Sequence, residues 1–350
     1  MATVFVGLSG GVDSAVAAAI LKQQGHDVTG VFIKIWQPEF IECTWREDRL
    51  DAMRVAATLG IPLREVDFSE EYKREVVENM IADYARGITP NPDVVCNRAI
   101  KFGQFAMWAR ENGAEYVATG HYARLRQGSG GQARVELLRG ADRNKDQSYF
   151  LYVLTQENLT RTLFPIGELT KHQVRSLAKK FRLPNAEKPD SQGICFLGDV
   201  TMDEFLARFI PLERGVVLDM TGTIIGEHQG AALYTVGQRH GFMARSSEEK
   251  AREHYVVATD TRANTVTVSP NRSDAARKEV ALEHVYWIEP QQLPLTADAQ
   301  ARYREAPVRV RVEERAEKMS AIFFEPHIAA PGQSLVLYEG ERCLGGGIIC

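Results

Sequence analysis

Residues 8–16 read LSGGVDSAV and lie between an apolar run, TVFVGL, and an alanine-rich stretch that ends at Gly25. Few stretches restrict a fold as tightly. A buried strand must feed a glycine-bearing turn that opens at once into a helix, the βα unit of an open parallel sheet. Ser9, Gly10 and Gly11 can present backbone N–H groups at that helix N-terminus, a ready anion site. The lysine that P-loop NTPases place beside their phosphates is missing, and Asp13-Ser14 follows instead. Such a cradle suits a pyrophosphate that leaves as a unit better than transfer of a terminal phosphoryl group. Asp13 and Ser14 can orient the loop or a Mg²⁺ ion. A strand–helix turn with no ligand is the plain alternative.

The alternation continues through the first 120 residues. Strands are expected at Val28–Ile33, Leu63–Phe68 and Tyr116–Gly120, and helices at Asp13–Gln24, Arg46–Leu59, Glu70–Arg86 and Asn97–Asn112. This predicts an α/β fold whose N-terminal part is a doubly wound, mostly parallel sheet. Ligands then bind beyond the carboxyl ends of its strands, where Leu8-Ser9, Ile33-Lys34 and Gly120-His121 fall. RQGSGGQAR (126–134) reads as a hairpin loop, and helical signals return between Lys145 and Phe181. Past Pro211 the texture becomes short alternating runs split by turns, interrupted by QQLPLTADAQARY. The expected domains are 1–209, a small β domain at 210–275 and a second β domain at 276–350.

A net charge of −4 gives no hint of nucleic acid by itself. Lys171, Arg175 and Lys179, however, stand at i, i+4 and i+8 and would put three cations on one helix face, against phosphates or against solvent. No apolar run approaches the roughly 20 residues that span a bilayer, and no signal peptide is visible, so a cytoplasmic location without membrane contact is expected. Five cysteines (43, 96, 195, 343 and 350) at scattered spacings, without a C-x-x-C pair, argue against structural disulfides and against a zinc site. No metal-ligand set is expected.

Cys96 closes TPNPDVVC, three residues after Asp93, where a loop should enter a helix. A thiolate near a helix N-terminus is stabilised, and Asp93 could move a proton there. Cys195 lies in a second loop, KPDSQGICFLG (188–198). Each cysteine taken singly reads equally as a buried, inert thiol. Together, beside an adenylating loop, they suit sulfur transfer, one carrying a persulfide and the other resolving it.

SGGVDS resembles the PP-loop of the ATP pyrophosphatases, which cleave ATP between the α- and β-phosphates. Adding GVFIKIW, TPNPDVVCN, IKF, ATGHYAR, LLRGADRNKDQSYFLY, LFPIGELTKHQVR, DSQGICF, GEHQGAALYTVGQRHG, ARYRE, PGQS and CLGGGII, the chain resembles the tRNA-specific 2-thiouridylase family in motif order from residue 7 to 349. The resemblance implies an adenine nucleotide alpha hydrolase-like first domain and a β-barrel as the last. It implies a tRNA-uridine 2-sulfurtransferase that uses ATP, with Mg²⁺, to adenylate the 2-carbonyl of the wobble uridine (position 34) and releases AMP and pyrophosphate. Gly7, Leu8, Ser9, Gly10, Gly11, Val12, Asp13 and Ser14 would bind the ATP phosphates. Ile33, usually methionine in the family, would line the adenine pocket, and Gly120 would approach the nucleotide. Cys96 would be the nucleophile, Cys195 the persulfide carrier and Asp93 the acid/base, with a transient Cys96–Cys195 disulfide. Sulfur reaches the base as the persulfide or as released hydrosulfide. Asn91, Pro92 and Asp93 would meet the target base, and His121, Lys145, Asp146, Gln147, Arg302, Tyr303 and Gln333 would touch the anticodon arm of tRNA. A cysteine desulfurase or sulfur relay protein would supply the persulfide. Cys43, Cys343 and Cys350 match no catalytic position.

Two rival readings stand beside this one. A PP-loop synthetase acting on a small molecule would not need two loop thiols or two β modules, and a non-catalytic RNA-binding module would not need Asp93 with Cys96 and Cys195. His121 also reads as a satisfied core histidine, and Lys145-Asp146-Gln147 as a turn.

Overall fold

The computed structural model describes residues 1–41, 45–128, 134–190, 197–198, 200–239, 241–244, 253–315 and 318–350. Strands β1 (Thr3–Gly7), β2 (Asp27–Lys34), β3 (Leu63–Asp67) and β4 (Tyr116–Ala118) begin a parallel sheet. β5 (Ala123–Gln127) and β6 (Val135–Arg139) leave it as a hairpin, and β7 (Thr162–Leu163) returns to its edge. The order is β3-β2-β1-β4-β7. The order of strand addition reverses between the parallel strands β1 and β4, so the loops after these two strands flank the crevice where such sheets bind ligands.

Alternation along the strands explains why both faces are covered. Val4 and Val6 point into one core with Val16 of α1 (Val12–Gln23) and Val55 of α2 (Trp45–Leu59). Phe5, between them, joins the other core. There it meets residues of a bent helical run made of α3 (Ser69–Tyr72), the π-helical Lys73–Glu78 and α4 (Asn79–Ala85). A second run on that face comprises α5 (Pro92–Cys96), the π-helical Asn97–Gln104 and α6 (Phe105–Glu111). The doubly wound expectation is met.

Three local expectations are corrected. The helix expected from Asn97 starts five residues earlier, at Pro92: Asn91 caps it by accepting from Val94 N at 3.4 Å, and Pro92 takes a first-turn position where no N–H is needed. The segment 145–181, expected to be helical, holds α7 (Gln156–Thr160), β7 and α8 (Lys171–Lys180), because Thr162 and Leu163 pair with Val117 and Ala118. QQLPLTADAQARY does not interrupt the strands but contains one, as seen below.

After α9 (Met202–Leu206) come β8 (Gly215–Leu218), β9 (Ile224–His228), β10 (Met243–Ala244), β11 (Tyr255–Asp260) and β12 (Thr265–Ser269), in a five-stranded sheet of order β10-β9-β8-β12-β11. The last six strands are β13 (Arg277–Trp287), β14 (Leu295–Gln300), β15 (Val308–Arg315), β16 (Lys318–His327), β17 (Ser334–Glu339) and β18 (Arg342–Ile349). They form an antiparallel barrel in the order β13-β16-β15-β14-β17-β18, closed by pairing of β13 with β18 and filled by Val310, Phe323, Leu335 and Leu337 among others. The β5–β6 hairpin is added to the outside of this barrel, with Leu138 opposite Arg342 and Leu137 opposite Cys343. The first domain therefore joins the barrel through this hairpin, which belongs to the barrel's sheet and not to the first one. Among the described residues no helix is long and apolar enough to cross a membrane.

Candidate active site

The turn after β1 is held by its own serines. Ser14 Oγ donates to Gly11 O at 3.1 Å and lies 3.3 Å from both Ser9 N and Ser9 Oγ. Gly10 has φ +78°, and a Cβ there would stand 2.4 Å from Asp48 O and 2.8 Å from Asp48 Cα. Asn185 Nδ2 donates to Gly10 O at 2.9 Å. Gly120 faces the loop from the end of β4: a Cβ on it would lie 2.6 Å from Ser14 N. Backbone thus abuts backbone across the crevice, which only glycine permits. Ile33 packs over Gly7, the nearest approach to a Cβ there being 3.8 Å from Phe105 and 3.9 Å from Ile33 Cδ1. The predicted loop residues Gly7 to Ser14, with Ile33 and Gly120, are brought together.

A lysine from elsewhere in the chain does reach the loop. Lys171 Nζ, from the first turn of α8, donates to both oxygens of Asp13 at 2.8 and 2.9 Å, and Tyr122 OH donates to Asp13 Oδ1 at 2.8 Å. Lys171 also meets Asp190, which takes Lys145 and Arg175 as well. Burial opposes the ionised carboxylate, yet the lysine bonds win and hold Asp190 down at about 2. This corrects the expected basic stripe. Lys171 turns inward to Asp13 of the loop, Arg175 turns inward to Asp190, and Lys179, on the outer face, pairs with exposed Glu187. The i, i+4, i+8 spacing is right, but all three cations are paired with carboxylates, two of them part-buried and Lys179 at the surface.

Asp93 and Cys96 lie three residues apart, on one face of the helix that begins at Pro92. Cys96 belongs to this helix, in its second turn, where a loop had been expected, and it is buried. Burial raises the Asp93 carboxyl above its usual range, and Lys101, one helical stretch further on, pulls it part of the way back. A carboxyl raised in this way can hold and release a proton nearer neutrality. His121 is buried beside the same helix, its ring 5.8 Å from Phe102 and 6.0 Å from Phe164, with Nδ1 2.7 Å from Thr119 Oγ1. Burial keeps it well below the usual histidine range, and Lys101 pushes the same way. It is a neutral core histidine in this arrangement. Lys101, which faces both Asp93 and His121 electrostatically, carried no signal beyond the IKF triplet.

The segment before this helix, itself part of the first module, is gripped by the other two. Gln333 Nε2, on the barrel, donates to Thr89 O at 2.7 Å and Pro90 O at 3.3 Å, and Thr89 N donates to Pro331 O. Thr89 Oγ1 meets Thr235 Oγ1 of the middle domain at 2.7 Å. Arg302 donates to Val236 O at 2.6 Å, tying the barrel to the middle domain, and the Tyr303 ring lies tilted against Phe150 with centroids 4.6 Å apart. Asp146 is buried and accepts from Gly140 N, Ser148 N, Ser148 Oγ and Arg139, whose guanidinium lies 3.5 Å from the Tyr338 ring centroid. Gln147 Oε1 accepts from Tyr122 N. Asn91, Pro92, Arg302, Tyr303 and Gln333 thus gather at one junction, whereas Asp146 and Gln147 are spent on internal bonds.

Cys195 and Cys43 lie outside the described residues, as does any Cys96–Cys195 contact. Burial pushes the Cys343 thiol up to about 12, and burial with Glu283 pushes Cys350 to about 11, so neither is a ready nucleophile. Among the described residues no group of three or more His, Cys, Asp or Glu could hold a metal ion. The loop fits a polyphosphate, but Asp13 is already bonded by Lys171 and Tyr122. A Mg²⁺ ion would therefore rest on the phosphates rather than in a protein cage.

Family models described as tRNA methyl transferase HUP domain, tRNA methyl transferase PRC-barrel domain and aminomethyltransferase beta-barrel domain match residues 2–199, 203–270 and 277–349. The tRNA-specific 2-thiouridylase MnmA of Streptococcus pyogenes serotype M3 is 43% identical over 99% of this chain and 94% of its own length. The protein of the same name from Pseudomonas aeruginosa shares 43% identity over the same fractions. Among solved structures, the U34-tRNA thiolase NcsA from Methanococcus maripaludis matches at 18% identity with a TM-score of 0.36, covering 55% of this chain and 60% of that one. With its order of motifs kept and relatives this similar along almost its full length, the chain belongs to the tRNA-specific 2-thiouridylase family.

Proposed function

We propose that Asp93, Cys96 and Cys195 carry out sulfur transfer to tRNA, on a base activated at the Gly7–Ser14 loop. The chain is a tRNA 2-thiouridine synthase, and the small-molecule synthetase reading is not favoured. One observation supports the site assignment above others: Thr89 and Pro90, which lead directly into the Asn91–Cys96 segment, are bonded to both the middle domain and the barrel. A small substrate needs no such three-sided junction; an anticodon arm does.

ATP supplies the adenylyl group that turns the uracil 2-carbonyl oxygen of the wobble uridine into a leaving group. The Ser9–Ser14 turn binds its phosphates through backbone N–H groups and the α1 N-terminus, and Ile33 with Gly7 forms the adenine side. Asn91, Pro92 and Asp93 face the target base. Asp93, its carboxyl raised by burial, takes up and returns the proton. The outer sulfur of the Cys195 persulfide bonds to the activated carbon as AMP leaves with the oxygen. Cys96 then attacks the Cys195 sulfur, releasing 2-thiouridine and leaving a Cys96–Cys195 disulfide that an external reductant reopens. Arg302 and Tyr303 stand on the tRNA side, and Asp146, Gln147 and Gln333 brace that surface from beneath. Domains 1–209, 210–275 and 276–350 divide the labour between chemistry and grip. The persulfide comes from a cysteine desulfurase or relay protein, and the reaction takes place in the cytoplasm.

The test is single-turnover thiolation of tRNA with ATP and a persulfide donor. Cys195→Ser should form AMP and pyrophosphate in a tRNA-dependent way yet yield no thiolated tRNA, and Cys96→Ser should stall with sulfur still on Cys195. Peptide mapping of the wild type without reductant should find the Cys96–Cys195 disulfide. Normal thiolation by either variant would overturn the two-thiol mechanism.

A further inference from the structure

Three cations converge on one carboxylate beside the phosphate loop. Asp190 Oδ2 is 2.6 Å from Lys145 Nζ, and its Oδ1 is 2.7 Å from both Lys171 Nζ and Arg175 Nη2. Lys171 simultaneously holds Asp13 in the first turn of α1, so the cluster adjoins the loop. All three cations are at most 30% exposed and pair with Asp13 and Asp190, while Asp142 nearby is turned to the Lys171 backbone N–H, from which its Oδ2 accepts at 2.9 Å. Arg175 is further fixed by donating to Ala186 O and Lys188 O. Lys188 does not join this group, because Asp48 and Asp51 take its ammonium at 2.7 Å each. A site where fixed cations surround a single carboxylate has the charge and the geometry to take a phosphate group, which offers more oxygens and more charge.

We infer that Lys145, Lys171 and Arg175 form a polyphosphate subsite, and that Asp190 fills it as an internal anion until pyrophosphate or the corresponding end of ATP displaces it. The inference rests on the loop binding ATP, as proposed above. It assigns Asp190 a competing role: the carboxylate keeps the three cations in place and lowers the affinity of the empty site. Removing Asp190 and removing Lys171 then have opposite effects on pyrophosphate binding. A purely structural ion-pair network gives the same sign for both.

Binding of Mg²⁺–pyrophosphate and of adenosine is measured by calorimetry on the full chain and on Asp190→Asn and Lys171→Met. Asp190→Asn should bind pyrophosphate roughly fivefold more tightly, the scale of one partly exposed ion pair. Lys171→Met should bind it about tenfold more weakly or worse, the scale of a charge-assisted bond. Adenosine should bind all three proteins alike. A second measurement needs no variant: carbodiimide labelling of Asp190 in the wild type should rise with pyrophosphate and not with adenosine. Equal or weaker pyrophosphate binding by a folded Asp190→Asn protein overturns the inference, as does labelling that pyrophosphate leaves unchanged. Failure of the wild type to bind either pyrophosphate or ATP removes the proposed function as well; binding without the Asp190 effects removes this inference alone.

Discussion

Gly10→Ala separates geometry from composition in the phosphate loop. Alanine must adopt φ near +78° at this position, and left-handed backbone costs a residue with a Cβ about 1–2 kcal/mol. The new Cβ would also stand 2.4 Å from Asp48 O, 2.8 Å from Asp48 Cα and 3.0 Å from Asp48 C. These are backbone atoms of α2, so no side-chain rotation relieves the clash. Overpacking of that kind adds about 1–3 kcal/mol. The total, about 2–5 kcal/mol, is a large part of the roughly 5–15 kcal/mol that holds a typical domain. The neighbouring Gly11 has φ −81° and ψ 159°, and a Cβ on it would meet only Ser9 Oγ, at 3.4 Å. Gly11→Ala should therefore change stability by no more than about 0.5 kcal/mol. Urea denaturation and ATP calorimetry on both variants measure the contrast. Gly10→Ala should unfold at lower urea and bind ATP about tenfold more weakly, because its displaced N–H groups no longer aim at the phosphates. A Gly10→Ala protein matching the wild type in both assays, or a Gly11→Ala protein that is the more damaged, would refute the reasoning.

Asp93 makes stability depend on pH in a defined direction. Its folded carboxyl titrates above the ordinary 3.8, so the stability tied to its protonated form is complete below the unfolded value and is lost as pH rises through the raised one. Asp93→Asn should raise the melting temperature at about pH 7, leave it unchanged below about pH 3 and abolish thiolation throughout. No gain at neutral pH would contradict the burial argument. Asp146→Ala strips Gly140 N, Ser148 N and Arg139 of their acceptor, and breaking a buried pair costs about 3–5 kcal/mol. Chemical denaturation should show that loss, with part of it recovered in Asp146→Ala combined with Arg139→Met; a loss under about 1 kcal/mol would make the pair dispensable. Cys350→Ser should thiolate tRNA at the wild-type rate, and a slower rate would give that exposed thiol a role its raised pKa argues against.

Local chemistry determined a great deal. Strand periodicity, the glycine turn after Leu8 and the alanine-rich helix after it specify a parallel α/β unit, because each depends on residues within one or two turns of one another. Asn91-Pro92 carries a helix-start signature that an expected helix placed from Asn97 leaves out. Which glycine is indispensable was not local: Gly10 and Gly11 look alike until Asp48, nearly 40 residues away, closes over one of them. The same holds for charge. Lys171, Arg175 and Lys179 have the spacing of a solvent-facing stripe, and only the packing of α8 against α1 reveals that two of them serve Asp13 and Asp190. Gln333 in PGQS gives no sequence clue that it holds the carbonyls of Thr89 and Pro90. Ion pairs and hydrogen bonds between distant segments depend on where the fold places each side chain, and hydrophobic period carries no record of that. The sequence determined the sheet and the residues able to do the chemistry; the tertiary structure decided which charges face the loop, because only docking of the modules brings those partners within bonding distance.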